Sequence, residues 1–119
     1  MALRGATTLD EDSSEQMLER VPEMLQELYE RNGLVDDDVI SAFFTATPDV
    51  TSMFPPTAAR ARFGLSEVPM MGAVEMDVPG ALARCVRVML HVSTSRPRRA
   101  LEHVYLHEAT RLRPDLADG

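Results

Sequence analysis

Apolar residues return every three or four positions through the first quarter of the chain, at Met17, Leu18, Val21, Met24, Leu25 and Leu28. That spacing draws one apolar stripe along a helix, a shape suited to covering a sheet. Ser13 marks the start, with Gln16 at capping-box distance behind the acidic run Asp10-Glu11-Asp12, and Asn32-Gly33 supplies the stop. Pro22 lies inside the stripe, where it removes one backbone donor and crowds the carbonyl of Leu18. The pattern predicts one kinked helix rather than two.

Elsewhere the pattern is that of strands. An extended start covers 3–8, and the apolar run 39–47, ended by Thr47-Pro48-Asp49, suits a buried strand. Phe54-Pro55-Pro56 then leads into an alanine-rich short helix that Gly64 closes, with both prolines at its entrance. Residues 68–76 predict another strand, followed by the turn Val78-Pro79-Gly80. Residues 85–92 carry the strongest alternation, with Cys85, Arg87, Met89 and His91 on one face and Val86, Val88, Leu90 and Val92 on the other. After the polar connection Arg96-Pro97-Arg98-Arg99, residues 101–107 read as a last strand with His103 and Tyr105 on one face. No internal repeat or flexible linker interrupts this order.

Composition narrows the class. A length of 119 residues, 45% of them apolar and 26% charged, predicts one ordinary globular domain spanning 1–119. Four Phe, two Tyr and no Trp leave the core to Leu, Val, Ala and eight Met, and so small a domain gains from association. Cys85 is the single cysteine and no Cys/His cluster has zinc-ligand spacing, so neither a disulfide nor a metal is expected and a reducing cytoplasm fits. The N-terminus lacks the apolar stretch of a signal peptide, and nowhere do about 18 apolar residues run together, so the expected protein is neither secreted by the usual route nor membrane-spanning. A net charge of −7 argues against nucleic acid or an anionic membrane as partner. All twelve basic residues are arginine. Genome composition accounts for the bias as a whole, although arginine suits forked binding of carboxylates better than lysine does.

Neither a phosphate-binding glycine loop nor a base beside Cys85 is apparent. The informative feature is Arg87, which interrupts an otherwise apolar strand where an unpartnered guanidinium would be costly. It either pairs with a carboxylate such as Glu75, reaches water from an exposed face, or meets an anionic ligand; periodicity does not choose among these. Arg4 and Arg60 read as solvated side chains unless they converge with it, and Tyr105 and Cys85 as core residues. The three histidines lack ligand spacing, which leaves them structural roles.

Seven segments taken in order carry a resemblance: Arg4-Gly-Ala-Thr-Thr8, Phe44-Thr-Ala-Thr-Pro-Asp49, Phe54-Pro55, Glu75-Met-Asp-Val78, Arg84-Cys-Val-Arg-Val88, His103-Val-Tyr-Leu106 and Leu112-Arg-Pro-Asp-Leu116. In sequence and spacing they resemble the monofunctional chorismate mutases of the trimeric α/β class, across nearly the whole chain. The resemblance implies an α+β fold in which a mixed β-sheet is covered by helices, three subunits forming a central pseudo-α/β-barrel homotrimer with active sites between them. It also implies conversion of chorismate to prephenate on the way to phenylalanine and tyrosine, a pericyclic rearrangement without metal or organic cofactor.

Residue by residue, the resemblance assigns Arg87 to the ether oxygen of the breaking bond, Arg4 to a substrate carboxylate, Tyr105 to a hydroxyl donor near the carboxylate, and Glu75 to the substrate hydroxyl and the orientation of the arginines. Phe54 and Arg60 match residues supplied by a neighbouring subunit, Met71, Gly72, Ala73 and Val74 the strand lining the pocket, and Leu112 and Arg113 a C-terminal segment over the cleft. Two positions depart from the family pattern: Pro56-Thr57 stands where a charged residue often follows, and Gly72 where some relatives have cysteine. Two other readings of a carboxylate-clamping arginine stay open at this point, an imine or enamine hydrolase and a non-catalytic ligand-binding trimer.

Overall fold

The computed structural model describes residues 1–112. Strand β1 (Ala2–Thr8) is followed by helix α1 (Ser14–Asn32), β2 (Val39–Ala46), α2 (Pro55–Arg62), β3 (Met70–Val74), β4 (Cys85–Val92) and β5 (Val104–Tyr105), with 3-10 turns at Asp36–Asp38, Arg98–Ala100 and His107–Arg111. The strands form one mixed sheet in the order β3-β2-β4-β1-β5. β4 is antiparallel to both neighbours, while β3 and β5 run parallel to β2 and β1. None of the helices described is long and apolar enough to cross a membrane.

α1 begins where the sequence places it. Ser13 Oγ accepts the Gln16 N–H at 3.2 Å, but the Gln16 side chain turns away to accept from Asp10 N, so only half of the capping box forms. The helix runs through Pro22 without dividing and ends at Gly33, whose φ of 63° is the left-handed geometry that favours glycine. Its stripe of Met17, Val21, Met24, Leu25 and Leu28 is fully buried against Leu3, Phe44, Val86, Val88 and Leu90. α2 adds Ala58 and Ala59 to the same layer. Helix and sheet approach most closely at Gly5, where a Cβ would stand 2.8 Å from Leu28 Cδ1 and 3.2 Å from both Met24 Cγ and Val88 Cγ1.

Two strand expectations change. Residues 39–47 do form a central strand, but it is buried on one face only: Ala42 and Phe44 are covered, while Ile40 and Phe43 are exposed. The strand expected over 101–107 shrinks to Val104–Tyr105, because its backbone groups find other partners. Asn32, buried at the end of α1, receives the Glu102 N–H on Oδ1 and donates through Nδ2 to the carbonyls of Glu102 and Leu28, each within 2.9 Å. The 3-10 turn that follows starts at His107 with φ 53°. The turn at Val78-Pro79-Gly80 forms as predicted, with Ala81 N–H on Val78 O and Gly80 at φ 83°.

The loop between β2 and α2 is anchored from the first loop of the chain. Asp12 accepts from Thr51 Oγ1 at 2.7 Å, Thr51 N at 2.9 Å and Ser52 N at 3.0 Å. The Thr51 hydroxyl bond foremost, helped by Ser52 and the two amides, draws the Asp12 carboxyl down from 3.8 to about 2.

Gly5→Val is expected to lower stability by about 1–3 kcal/mol through overpacking against Leu28 and Met24, read from urea unfolding; an unchanged midpoint would show that α1 does not seat on Gly5. Asp12 behaves as a carboxyl with a depressed folded pKa, so its contribution is present above about 3.8 and disappears as pH falls toward about 2. Asp12→Asn is therefore expected to destabilise at neutral pH, by no more than about 1 kcal/mol because the pair lies near the surface, with the difference from wild type closing below about pH 3. A difference that persists unchanged to pH 2 would rule this anchor out.

Candidate active site

Arg87 is the third residue of β4, paired with Ala6 on β1 and Thr45 on β2. Ala6 in turn pairs with Tyr105 on β5, and Thr45 with Ala73 on β3. Residues opposite one another in a sheet share a face, so Ala73, Thr45, Arg87, Ala6 and Tyr105 form one row across all five strands. The next row holds Met71, Phe43, Met89 and Arg4. Both rows lie on the side away from α1, because the alternate residues Val86, Val88 and Leu90 are committed to the helix. Arg4, Arg87 and Tyr105 thus share one face; alternation sets the face within each strand, and the register brings the three together.

Glu75 joins them from the first position past β3. Its N–H still bonds Ala46 O at 2.9 Å, extending the ladder by one residue, and two positions beyond Ala73 its side chain falls on the same face. Glu75 Oε2 stands 3.1 Å from Arg87 Nε, with both side chains partly exposed. The carboxylate partner considered from sequence is therefore present. The Arg87 Nε–H is not aimed at that oxygen, and this buried nitrogen lacks an aligned acceptor among the described residues. Thr45 Oγ1 donates to the same Glu75 oxygen at 2.5 Å. Sequence reasoning missed Thr45: a threonine in an apolar strand is ordinary, and only the register places it beside Arg87.

Tyr105 is buried at 5% exposure, its hydroxyl without a hydrogen-bond partner among the described residues, and is packed among Ala6, Ala109, Leu82 and Leu112. Leu112 thus reaches the site residues, whereas Arg113 lies outside the described residues. Arg4 N–H donates to His103 Nδ1 at 3.0 Å, while the Arg4 side chain makes no ion pair among the described residues. His91 meets Ser41 Oγ and His107 meets Glu23, so all three histidines have the structural partners expected of them. Cys85 is buried at the end of the Arg87 face; desolvation foremost pushes its thiol up, with the Arg87 charge pulling the other way. It is a packing residue in its neutral form.

The remaining expected site residues gather around a cleft. Phe54, Arg60, Met71, Gly72, Ala73 and Val74 line a cleft of about 790 Å³ between β2, β3 and α2, whose floor includes Thr45. Phe54 is 80% exposed at the entrance of α2, and Arg60 projects from the same helix. A Cβ at Gly72 would meet only Phe44 O at 3.7 Å, so that position has room for a side chain. One chain therefore carries Arg4, Glu75, Arg87 and Tyr105 on one face of the sheet, and Phe54 and Arg60 at the start and end of α2 on the cleft that Thr45 also lines.

The family described as chorismate mutase type I matches residues 1–116. The chain is 40% identical over 115 residues to chorismate mutase AroH of Bacillus subtilis (strain 168), covering 97% of this chain and 91% of that protein. It is 43% identical over 115 residues to chorismate mutase AroH of Thermus thermophilus, covering 96% and 93%. The solved structure of a chorismate mutase from Clostridium thermocellum superposes with a TM-score of 0.90 at 40% identity, over 93% of this chain and 98% of that one. With an arginine–glutamate pair set on an open sheet face, in an α+β fold that agrees with a solved relative almost throughout, this chain belongs to the chorismate mutase type I family, and it is an isomerase.

Proposed function

We propose that residues 1–119 act as one domain of a cytoplasmic homotrimer that converts chorismate to prephenate at sites between subunits. The observation that carries the residue assignment is the pair of sheet rows that brings Arg4, Arg87 and Tyr105 to one face with Glu75. Arg87 is the donor to the ether oxygen, Arg4 and Tyr105 hold substrate carboxylate, and Glu75 takes the substrate hydroxyl while restraining Arg87. Phe54 and Arg60 reach the site of the adjoining subunit, and Leu112 and Arg113 cover it.

Two features support assembly. The face carrying the site also exposes Phe43, Met71 and Met89, an apolar surface of the kind that associates. Phe54 and the exposed Arg60 make no hydrogen bond or ion pair to Arg4, Glu75 or Arg87 among the described residues, and a neighbour's Phe54 and Arg60 would complete the site.

The rearrangement is unimolecular and moves no proton, so the protein has two tasks. Fixed arginines hold the dicarboxylate in the compact conformer that brings the bonding carbons together. As the C–O bond breaks, charge grows on the ether oxygen, where a preorganised guanidinium on a partly desolvated strand stabilises it more than in the ground state. The protein carries a net charge of −7 and the substrate is a dianion, so binding rests on local arginines against an unfavourable overall field.

Incubation with chorismate is expected to consume its absorbance with stoichiometric formation of prephenate; absence of both would end this reading. Arg87→Ala is expected to lower turnover by about 10²–10³-fold with an unchanged solution mass of about three times 13.2 kDa, and near-normal turnover would remove Arg87 from the mechanism. Co-folding Arg87→Ala with Arg60→Ala chains is expected to restore roughly a quarter of wild-type activity, because in mixed trimers about one interface in four joins two intact halves. No recovery would place Arg60 and Arg87 in the same half-site.

A further inference from the structure

We propose that Thr45 is a positioning residue for this reaction, its hydroxyl fixing the Glu75 carboxylate against the Nε edge of Arg87 and so aiming the guanidinium. The proposal rests on the role given to Arg87 above. Thr45 lies opposite Arg87 in the β2–β4 register, and its hydroxyl donates to Glu75 Oε2 at 2.5 Å. The same oxygen stands 3.1 Å from Arg87 Nε. One carboxylate oxygen therefore joins the hydroxyl and the guanidinium.

The contact to arginine has little directional hold, because the Nε hydrogen is not aligned on the carboxylate. The Thr45 bond supplies the direction. Glu75 follows the last residue of β3 and carries a long side chain, partly exposed and beside an open cleft. Without the hydroxyl, nothing described on the sheet face fixes which way its carboxylate turns. Threonine is suited to the task, since branching at Cβ restricts χ1 and the backbone is held between two paired strands.

Thr45 also lines the cleft, so direct action on substrate has to be distinguished from action through Glu75. A threonine hydroxyl has one hydrogen to donate, and here Glu75 receives it. It therefore has none left for the ether oxygen or a substrate carboxylate, and its influence passes through Glu75.

The test is a double-mutant cycle in the full-length enzyme, with kcat and KM for chorismate, solution mass and unfolding midpoint measured for each variant. Thr45→Val keeps the shape and removes the hydroxyl; kcat is expected to fall about tenfold, as for loss of a hydrogen bond to a charged group, with KM moving less than about threefold. Thr45→Ser is expected to recover most of the loss, and Thr45→Ala supplies the hydroxyl-free reading should valine fold poorly. In a Glu75→Ala background, removal of the hydroxyl is expected to cost nothing further. An equal fall in both backgrounds, or wild-type kcat in the hydroxyl-free variants, overturns the proposal. Unchanged turnover of Arg87→Ala would instead strike the assigned role of Arg87.

Discussion

Arg87 sits on a strand paired on both sides, so its guanidinium has no way out except through one face of the sheet. The helices pack against the other face and bury Val86, Val88 and Leu90, and the rest of the site follows from that single constraint. A charge on a central strand has to be met on the open side, and Glu75 meets it from the end of β3, steadied by Thr45. The pair leaves the cation partly exposed, and it stays available to a small anion in a way that a fully buried, fully bonded arginine does not.

Holding that row together falls to groups outside it. α1 presses on the sheet at Gly5, in the same β1 segment that pairs with both β4 and β5. Asn32, at the far end of the same helix, binds both backbone groups of Glu102 and so delivers the chain to the two-residue strand that carries Tyr105. His103 takes the Arg4 N–H one step earlier. Arg20, buried on α1, donates to Thr8 O and Asp10, fixing the exit of β1. A short edge strand with only two register pairs is weak by itself; these side-chain bonds to backbone give Tyr105 a defined place.

The open face is apolar as well as functional. Phe43 and Met89 flank the row that holds Arg87, and both are more than a third exposed. Burying them against a neighbouring copy would lower the local dielectric around Arg87 and strengthen its hold on charge developing in a bound substrate. Association and catalysis would then draw on the same surface, in accord with a domain too small to supply a large core.

Much of this was legible in the chain itself. The three- and four-residue spacing of α1 and the two-residue alternation of β4 each carry a burial pattern, because a helix and a strand present fixed faces. They set the aliphatic rows and turned Arg87 away from them, while Ser13 and Gly33 marked the helix ends and the ordered motifs pointed to the family. Pairing between strands was not legible, since register is a relation between distant segments. It decided that Thr45 stands beside Arg87, that Glu75 supplies the counter-charge, and that residues expected to form a long last strand spend their backbone bonds on Asn32. Periodicity is written locally along one segment, whereas the partner of a polar group is chosen by whichever distant element reaches it in the folded sheet.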